Sequence, residues 1–401
     1  MNIYLGSVYP DALSDELLKR KQFVDYPANV FQHSLLKGLD SHIPNLQVIS
    51  SPVIKSSYSV VKDICRGFGF SHTDSEQGND VYVGTVPIPG IQLFAELKRV
   101  YQTLKRKLDK NRKNNRLIIY ALHSPFLLAA ILLRKRIGCA CVIVLDLPEY
   151  MSSGNKIKQL LKKVDGVVIN FCVKRLDCFV LLSPYMREKL PIANKPWALV
   201  EGIYDTSFIP SDINKNKERV VLYTGNLSRR YGIVELLDAF HQINNDNYRL
   251  WVCGRGEGAQ DVMKMAEVDK RIKYLGIVSH AEVLSLQQRA TILINPRSSS
   301  EEFTKYSFPS KTMEYLASGT PTVMCHLPAI PKEYDEYIFY IEDESVSGIK
   351  KTIEDVCGMT DGELFAFGKR AADFIRSKKN ASVQAKKIID LMDSIDCIYT
   401  E

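Results

Sequence analysis

Several features that mark common protein classes are missing from this sequence. The nine cysteines include no Cys-x-x-Cys pair, the usual spacing of zinc and thiol-redox sites. The segment Gly254-Arg-Gly-Glu-Gly258 does not match Gly-x-Gly-x-x-Gly, so the dinucleotide fingerprint fails. The longest apolar run, from Phe126 to Leu133, has eight residues, whereas about 20 are needed to cross a bilayer. Residues 254–258 therefore give no sign of a dinucleotide site, and the short apolar runs predict no membrane-spanning helix.

The overall composition is that of a globular protein. Apolar residues make up 45% and charged residues 25% of the 401 positions, as in soluble domains, and the length predicts two to three domains. The apolar run at Met1–Gly6 is too short for a secretion signal. We therefore expect a cytoplasmic protein with reduced, mostly buried thiols.

Positive charge is concentrated in the first half. Residues 1–200 contain 28 Lys and Arg against 16 Asp and Glu, whereas the rest contains 25 against 30. Such an excess draws a protein to anionic surfaces, or it is simply a solvated basic face. Between Lys156 and Lys163 the lysines alternate with apolar residues that share one helical face, namely Ile157, Leu160, Leu161 and Val164. That face either lies on a membrane or packs on its own domain.

Strands and helices alternate along the chain. The clearest example is strand 116–121, helix 126–134 and strand 140–145, which predicts an α/β protein with a parallel, doubly wound sheet. Ligands bind beyond the carboxyl ends of strands in such sheets. His123 and Asp146 follow two of these strands and are candidates for a functional site, although a histidine there is often structural.

The stretch from Tyr306 to Cys325 reads as loop, helix, stop and strand. Ser310 is a candidate N-cap, Gly319 suits the C-terminal cap, and Pro321 prevents continuation. Lys311 in the first turn opposes the helix dipole unless an anion lies there. Glu314 follows Ser310 by four residues, about 6 Å along the axis, and could accept hydrogen bonds from two vicinal hydroxyls. The pattern fits a site for a nucleotide's phosphates and ribose, and by itself it fits equally a surface helix with ordinary charges.

This stretch resembles the nucleotide-binding motif of the family-four retaining glycosyltransferases, in particular the bacterial polysaccharide and exopolysaccharide group. That motif is Glu, seven residues, Glu, followed by a Gly-x-Pro turn. Glu314 matches the second Glu, Gly319-Thr-Pro321 the turn, and Phe308-Pro309 a Phe-Pro pair between the acids. Tyr306 stands where the first Glu is expected.

The resemblance implies a donor site in the second half of the chain. Glu314 would bind the ribose, Ser310 and Lys311 the diphosphate, and the backbone from Ile272 to Val278 the base. The family's Gly loop carries two basic ligands at positions that hold Asn226 and Tyr231 here. Arg229 or Arg230 would then supply the charge. The expected donor-binding residues are Gly225, Asn226, Arg229, Arg230, Gly254, Val278, Tyr306, Phe308, Ser310, Lys311 and Glu314.

Catalysis, in the same resemblance, uses groups near the donor sugar and the departing diphosphate. His123 is the first candidate and Asp146 the second, while Lys311 would neutralise the diphosphate. Because side-chain cations can do this and no Asp-x-Asp triplet is present, we expect neither a metal nor another cofactor. The nucleotide sugar, a UDP-sugar in this interpretation, is a co-substrate.

The B-type fold of this family predicts two Rossmann-like doubly wound domains that face a cleft. Residues 1–202 would form an acceptor-binding domain, 203–218 a linker, 219–380 the nucleotide-sugar domain, and 381–401 a final helix that returns to the first domain.

The function predicted is a retaining, metal-independent glycosyltransferase at the inner face of the membrane. It would use a lipid-linked or growing polysaccharide acceptor, an anionic membrane surface and no nucleic acid. Two alternatives stay open: a nucleotide-sugar epimerase, and a non-catalytic module that binds membrane or nucleic acid through a degenerate glycosyltransferase scaffold.

Overall fold

The computed structural model describes residues 1–10, 26–51, 66–73, 78–86, 88, 91–147, 156–205 and 218–398. The chain divides into two compact units, one formed by Met1–Ile203 with Ala381–Glu401 and the other by Tyr204–Asn380. The break after Ile203 lies one residue beyond the predicted end of the first domain at 202, and the break after Asn380 coincides with the predicted limit, whereas unit 2 begins at Tyr204, 15 residues before the predicted 219. Most of the predicted linker, 206–217, lies outside the described residues, as do Glu149 and Tyr150.

Unit 1 is built on an eight-stranded sheet within its described residues, in the order β3-β4-β2-β1-β5-β6-β7-β8. Neighbouring strands are parallel except β3 and β4. Every residue of β6 is buried, as expected for a parallel sheet covered on both faces. The strands are β1 (Asn2–Gly6), β2 (Gln47–Ser50), β3 (Phe68–Phe70), β4 (Asp80–Tyr82), β5 (Arg116–Tyr120), β6 (Cys139–Val144), β7 (Cys178–Leu181) and β8 (Trp197–Leu199).

Helices cover both faces of this sheet. The last helix joins the first one in the core, where Ala385, Ile388 and Met392 pack with Leu35 and Leu36. The C-terminal segment therefore completes the hydrophobic core of unit 1. The helices are α1 (Tyr26–Asp40), α2 (Gln92–Lys107), α3 (Ser124–Leu132), α4 (Lys156–Val173), α5 (Met186–Lys189) and α12 (Ala381–Ile398).

Unit 2 contains a parallel six-stranded sheet in the order β11-β10-β9-β12-β13-β14. Counted along this unit, the order is 3-2-1-4-5-6, that of the dinucleotide-binding Rossmann fold. The strands are β9 (Arg219–Asn226), β10 (Tyr248–Arg255), β11 (Ile272–Gly276), β12 (Ile292–Asn295), β13 (Thr322–Cys325) and β14 (Phe339–Ile341).

The helices of unit 2 follow their strands and bury apolar faces against the sheet. Leu236, Leu237 and Phe240 of the first helix, for example, belong to the main core of the unit. The helices are α6 (Ile233–His241), α7 (Ala259–Val268), α8 (His280–Arg289), α9 (Lys311–Ala317), α10 (Val346–Cys357) and α11 (Asp361–Lys378). Short 3₁₀ turns lie at 112–114, 134–136, 229–231, 302–305 and 332–337.

The glycines and acids of residues 67–80 predict a mobile loop, and this prediction is wrong for the described residues, which include β3 and the first residue of β4, paired antiparallel. Residues 84–87 carry only a weak strand or loop signal, and their described part, 84–86, forms no strand. Phe68 stacks on Tyr82 with ring centroids 4.7 Å apart, and His72 bonds to Asp80. These contacts between distant residues outweigh a local composition of glycines and acids.

No helix in the described part of the chain is long and apolar enough to cross a membrane. The seven cysteines whose side chains are described are free thiols and buried, and both observations agree with the expectations from composition.

Candidate functional site

A cavity of about 190 Å³ opens at the centre of unit 2. It lies at the carboxyl ends of β9 and β12, the neighbouring strands between which the strand order reverses. This topological switch point is where ligands bind in open α/β sheets. The cavity is lined by Tyr223, Thr224, Gly225, Asn226, Tyr231, Asn295, Arg297, Pro309, Ser310, Lys311 and Tyr315.

Two glycines let the backbone approach closely at this edge. Gly225 has φ +150°, and a Cβ there would lie 3.2 Å from Cε of Lys311. Gly254, its register partner on β10, has φ +138°, and a Cβ there would lie 1.7 Å from the carbonyl oxygen of Gly225. Side chains are strained at these dihedrals, and the space is already filled. At this edge of the sheet, Gly225 and Gly254 therefore present backbone atoms to the cavity side without a side chain.

Helix α9 is fixed to β9 by a buried tyrosine. The Thr224 N–H donates to Tyr315 Oη over 2.8 Å, and Tyr315 Oη donates to the Thr224 carbonyl over 3.1 Å. Burial raises the pKa of Tyr315, so the hydroxyl stays protonated and able to donate. This connection sets the position of Lys311 and Glu314 relative to the glycine edge.

The expectation that Ser310 caps α9 is wrong. Ser310 occupies the N-cap position, but its dihedrals, φ −51° and ψ −30°, are helical and its side chain makes no capping hydrogen bond. An N-cap residue normally adopts extended dihedrals so that its hydroxyl can reach back to the first turn. The exposed Ser310 instead lines the cavity.

Glu314 is surrounded by polar groups. Gln287 Nε2 donates to its Oε1 over 2.6 Å. Lys311 Nζ lies 3.7 Å from Oε1, and His280 Nδ1 lies 3.9 Å from Oε2. The carboxylate is partly exposed. In addition to the hydrogen bond from the Gln287 amide, it can therefore accept hydrogen bonds from a ligand.

The two arginines predicted from sequence to contact a diphosphate have other partners. Arg229 forms a bidentate ion pair with Asp261. The Nε–Oδ2 distance is 2.8 Å and the Nη2–Oδ1 distance is 3.0 Å. Asp261 raises the pKa of Arg229. Arg230 lies over the rings of Tyr231 and Phe303 at 5.1 and 4.9 Å. Neither arginine lines the cavity.

Arg297 is the functional candidate that the sequence interpretation missed. It follows β12 directly, lines the cavity, and is only 8% exposed. Among the residues that the structure describes, its Nε has no hydrogen-bond partner. Burial lowers the pKa of its guanidinium, and nearby Arg230 acts in the same direction. Its place after a strand was the available signal, the same one that singled out His123 and Asp146.

Three other predicted donor residues lie in different surroundings. Phe308 is buried in the core, with its ring 5.6 Å from that of Tyr334. Tyr306, at the end of a 3₁₀ turn, is buried. Val278 is half-buried, two residues beyond the end of β11. The structure thus brings Gly225, Asn226, Ser310 and Lys311 together around the cavity, with Glu314 one turn along α9.

His123 in unit 1 is held by a buried carboxylate. It follows β5, and its Nε2 lies 3.0 Å from Oε2 of Glu96 on α2. The second oxygen of Glu96 accepts a hydrogen bond from Ser51 Oγ over 2.7 Å. Because an ionised carboxylate only accepts hydrogen bonds, this contact places a proton on Nε2. Asp146 is exposed just beyond the end of β6.

Comparison with known proteins bears on the fold and on the family of unit 2. Residues 218–357 match the family described as "Glycosyl transferases group 1". No curated protein sequence matches the chain.

Solved structures resemble the chain over nearly its whole length. Sucrose-phosphate synthase from Thermosynechococcus elongatus is 15% identical, with a TM-score of 0.63 covering 99% of this chain and 100% of that one. HepE from Anabaena in complex with UDP is 14% identical, with a TM-score of 0.65 covering 98% and 100%. The lipopolysaccharide outer core galactosyltransferase WaaB is 13% identical, with a TM-score of 0.60 covering 98% and 99%. At these identities the likeness shows the fold, which is the predicted B-type fold of two Rossmann-like domains.

Proposed function

We propose that this chain, whose residues 218–357 belong to the group 1 glycosyl transferases, is a retaining enzyme that moves a sugar from a nucleoside diphosphate to a glycan. One observation carries the proposal: a cavity at the switch point of unit 2 is lined by the cations Arg297 and Lys311, and the carboxylate of Glu314 lies one helical turn along α9. Cations suit a diphosphate, and a carboxylate suits ribose hydroxyls.

The distribution of these groups fits the chemistry of glycosyl transfer. When the bond from the anomeric carbon to the diphosphate breaks, negative charge grows on the departing oxygen. A cation already fixed near that oxygen stabilises the transition state more than the ground state. Lys311, whose stem lies against Gly225, is the group that we propose for this role, and a side-chain cation makes a metal unnecessary in the proposal.

A UDP-sugar is the donor that we propose. Support comes from HepE, a structural relative that was solved in complex with UDP and with UDP and glucose. A lipid-linked or growing polysaccharide is the proposed acceptor, since WaaB is a lipopolysaccharide galactosyltransferase. His123, with its proton placed on Nε2 by Glu96, is the proposed catalytic group of unit 1, with Asp146 second.

An anionic membrane surface is the proposed partner of unit 1, and helix α4 supports it. Leu160, Leu161 and Val164 are 62%, 64% and 56% exposed. The alternative that this apolar stripe packs on its own domain therefore does not hold for these three residues. Lys162 and Lys163 are exposed on the same segment. Apolar side chains that enter the lipid boundary, flanked by lysines that meet anionic headgroups, are typical of interfacial helices. We propose the cytoplasmic face of the membrane as the site of action.

The donor site is tested by thermal unfolding with UDP, GDP, ADP and their sugars. A ligand at 100 times its dissociation constant stabilises the protein by about 2.7 kcal/mol, which raises the melting temperature by several degrees. We expect UDP to give this shift, Glu314→Ala to lose it, and Glu342→Ala, an exposed acid of the same unit, to keep it. A wild-type protein that responds to no nucleotide would contradict the proposal and favour the non-catalytic module.

The reaction is tested with the donor that gives the largest shift. A transferase releases UDP faster when a polyprenyl-diphosphate glycan is added, whereas an epimerase changes the sugar without an acceptor and without releasing UDP. The anomeric configuration of the product then distinguishes a retaining enzyme from an inverting one.

A further inference from the structure

We infer that Arg297 and Lys311 together form the diphosphate-binding pair of this chain, in place of Arg229 and Arg230; the inference rests on the proposed function. Asn226 and Tyr231 leave the Gly loop without its two basic side chains. In this structure a basic side chain, that of Arg297, comes instead from the chain after β12, the strand on the other side of the switch point.

Arg297 is a buried charge that forms no ion pair among the described residues, and the exposed Glu301 acts on it only from a longer distance. Arg297 is more than nine-tenths buried, and among the described residues its Nε forms no hydrogen bond. Guanidinium groups stay protonated in proteins. A buried charge without a partner is costly, so buried arginines are normally paired with carboxylates or anionic ligands. The open side of this guanidinium is the cavity, and an anion bound there would supply the missing acceptor.

Two aromatic rings fix the direction of the guanidinium. Its Cζ lies 4.2 Å from the centroid of Phe303 and 5.2 Å from that of Tyr231. Arg230 lies near the same two rings at 4.9 and 5.1 Å, so two positive charges share one small region. Stacking orders an arginine without neutralising it. An anion bound by Arg297 in the cavity would offset the repulsion between the two arginines, and the preordered guanidinium would lose little entropy on binding.

Lys311 supplies the second charge from the opposite wall. Its side chain is 40% exposed and passes over Gly225, and its ion-pair neighbour, Glu314, is 3.7 Å away. The guanidinium can hold two phosphate oxygens at once, whereas the ammonium acts as a point charge. Glu314 lies three residues further along α9, about 4.5 Å by helical rise, where the ribose would follow. The order is thus phosphate, then ribose.

This pair would act on the leaving group. In the transfer, the bond between the anomeric carbon and the diphosphate oxygen breaks, and the oxygen keeps the electron pair. The acceptor's hydroxyl oxygen forms the new bond to that carbon, and its proton goes to the departing diphosphate. While that bond breaks, and before the proton arrives, Arg297 and Lys311 hold a more negative diphosphate than in the ground state, so both favour the transition state.

The decisive variant is Arg297→Met, which keeps much of the side-chain volume and removes the charge. We expect UDP affinity to fall about 10- to 100-fold, the range for a lost charge-assisted hydrogen bond, and affinity for uridine to stay unchanged. Arg297→Lys should recover part of the loss. The ligand-free melting temperature of Arg297→Met should equal or exceed that of the wild type, because replacing an unpaired buried charge with an apolar side chain is neutral or stabilising.

Two further variants complete the experiment. Arg370→Met is the matched control, since Arg370 also lies over an aromatic ring, Phe367, at 5.5 Å, and it should bind UDP as the wild type does.

Arg229→Met tests the rival assignment. A large loss of UDP affinity in Arg229→Met, with Arg297→Met unaffected, would overturn the inference and leave the proposed function standing. Equal losses for UDP and uridine together with a lower melting temperature in Arg297→Met would overturn it as well, since Arg297 would then be a packing residue. A wild type that binds no UDP would refute the proposed function itself.

Discussion

Gln287 on α8 donates a hydrogen bond from Nε2 to Oε1 of Glu314 on α9, over 2.6 Å. Gln287 is completely buried, and its Oε1 has no hydrogen-bond partner among the described residues. The carboxylate requires a donor, so the amide has to present its NH₂ group and leave the oxygen without a partner. An unsatisfied buried oxygen costs free energy. Because Gln287 carries this cost, we infer that its role is to hold Glu314 in position.

Replacing Gln287 should therefore weaken ribose binding in particular. We expect Gln287→Leu to bind UDP about 3- to 10-fold more weakly, less than for a directly lost hydrogen bond to a charged group, because Gln287 acts only through the position of Glu314. Calorimetric titrations with UDP and with 2′,3′-dideoxy-UDP provide the measurement. The preference for UDP over the dideoxy analogue should shrink in the variant and stay constant in Gln242→Leu, a surface control. An unchanged preference in Gln287→Leu would show that Glu314 does not act on the ribose.

Glu96 should matter for turnover through His123. The carboxylate is buried and contacts His123 Nε2 and Ser51 Oγ. In Glu96→Gln the amide keeps the size of the side chain but loses the charge, and we expect kcat to fall about tenfold with little change in KM for the donor. Ser51→Ala, which removes one contact of Glu96, should give a smaller loss. If Glu96→Gln turns over like the wild type at an unchanged melting temperature, His123 is a structural residue.

The apolar face of α4 should carry membrane binding. We expect the triple variant Leu160→Ser, Leu161→Ser, Val164→Ser to lose at least tenfold in affinity for vesicles with phosphatidylglycerol, since each side chain contributes its burial energy. Co-sedimentation with vesicles measures this. Val268 and Phe365, exposed apolar residues of unit 2, provide the control variants Val268→Ser and Phe365→Ser.

The lysines on α4 should make vesicle binding dependent on the salt concentration. Lys162→Gln with Lys163→Gln should weaken binding at low salt more than at high salt, because screening already removes their contribution there. Vesicle binding that is equal in the wild type and the triple variant would disprove the membrane role of this helix.

Stability should decline in mildly alkaline solution because of His72. Burial alone lowers the pKa of His72, but hydrogen bonds to Asp40 and Asp80 outweigh it and raise the pKa to about 9 from an ordinary 6.5. A raised pKa stabilises the folded state fully below pH 6.5, and this contribution disappears as the pH rises through about 9. We expect protonated His72 to contribute roughly 1 to 2 kcal/mol to the free energy of unfolding below pH 6.5.

Melting temperatures between pH 6 and 9.5 provide the measurement. His72→Gln should be less stable than the wild type at pH 6, and the difference should shrink toward pH 9. His326→Gln, which changes an exposed histidine 3.3 Å from Glu342, is the control and should show no such trend. A constant difference for His72→Gln over this range would indicate that His72 is uncharged when folded.

Regular elements were predictable where the signal is local. Helix α9 and strand β13 follow the predicted order of loop, helix, stop and strand between Tyr306 and Cys325, because apolar spacing and a Gly-x-Pro stop act within a few residues. The pairing of β3 with β4 was not predictable, since Phe68 and Tyr82 stabilise each other across 14 positions. The capping role expected of Ser310 was wrong because the preceding chain enters α9 with helical dihedrals.

The sequence by itself determined that Lys311 and Glu314 share one short helix and that glycines lie at the end of β9. These properties follow from spacing along the chain, whereas the two doubly wound domains were implied by the family resemblance. Only the tertiary structure decided which arginine faces the cavity. A long flexible side chain points toward whatever partner the fold brings near it. Asp261 on α7 pairs with Arg229, whereas the rings of Tyr231 and Phe303 hold Arg297, which forms no ion pair among the described residues.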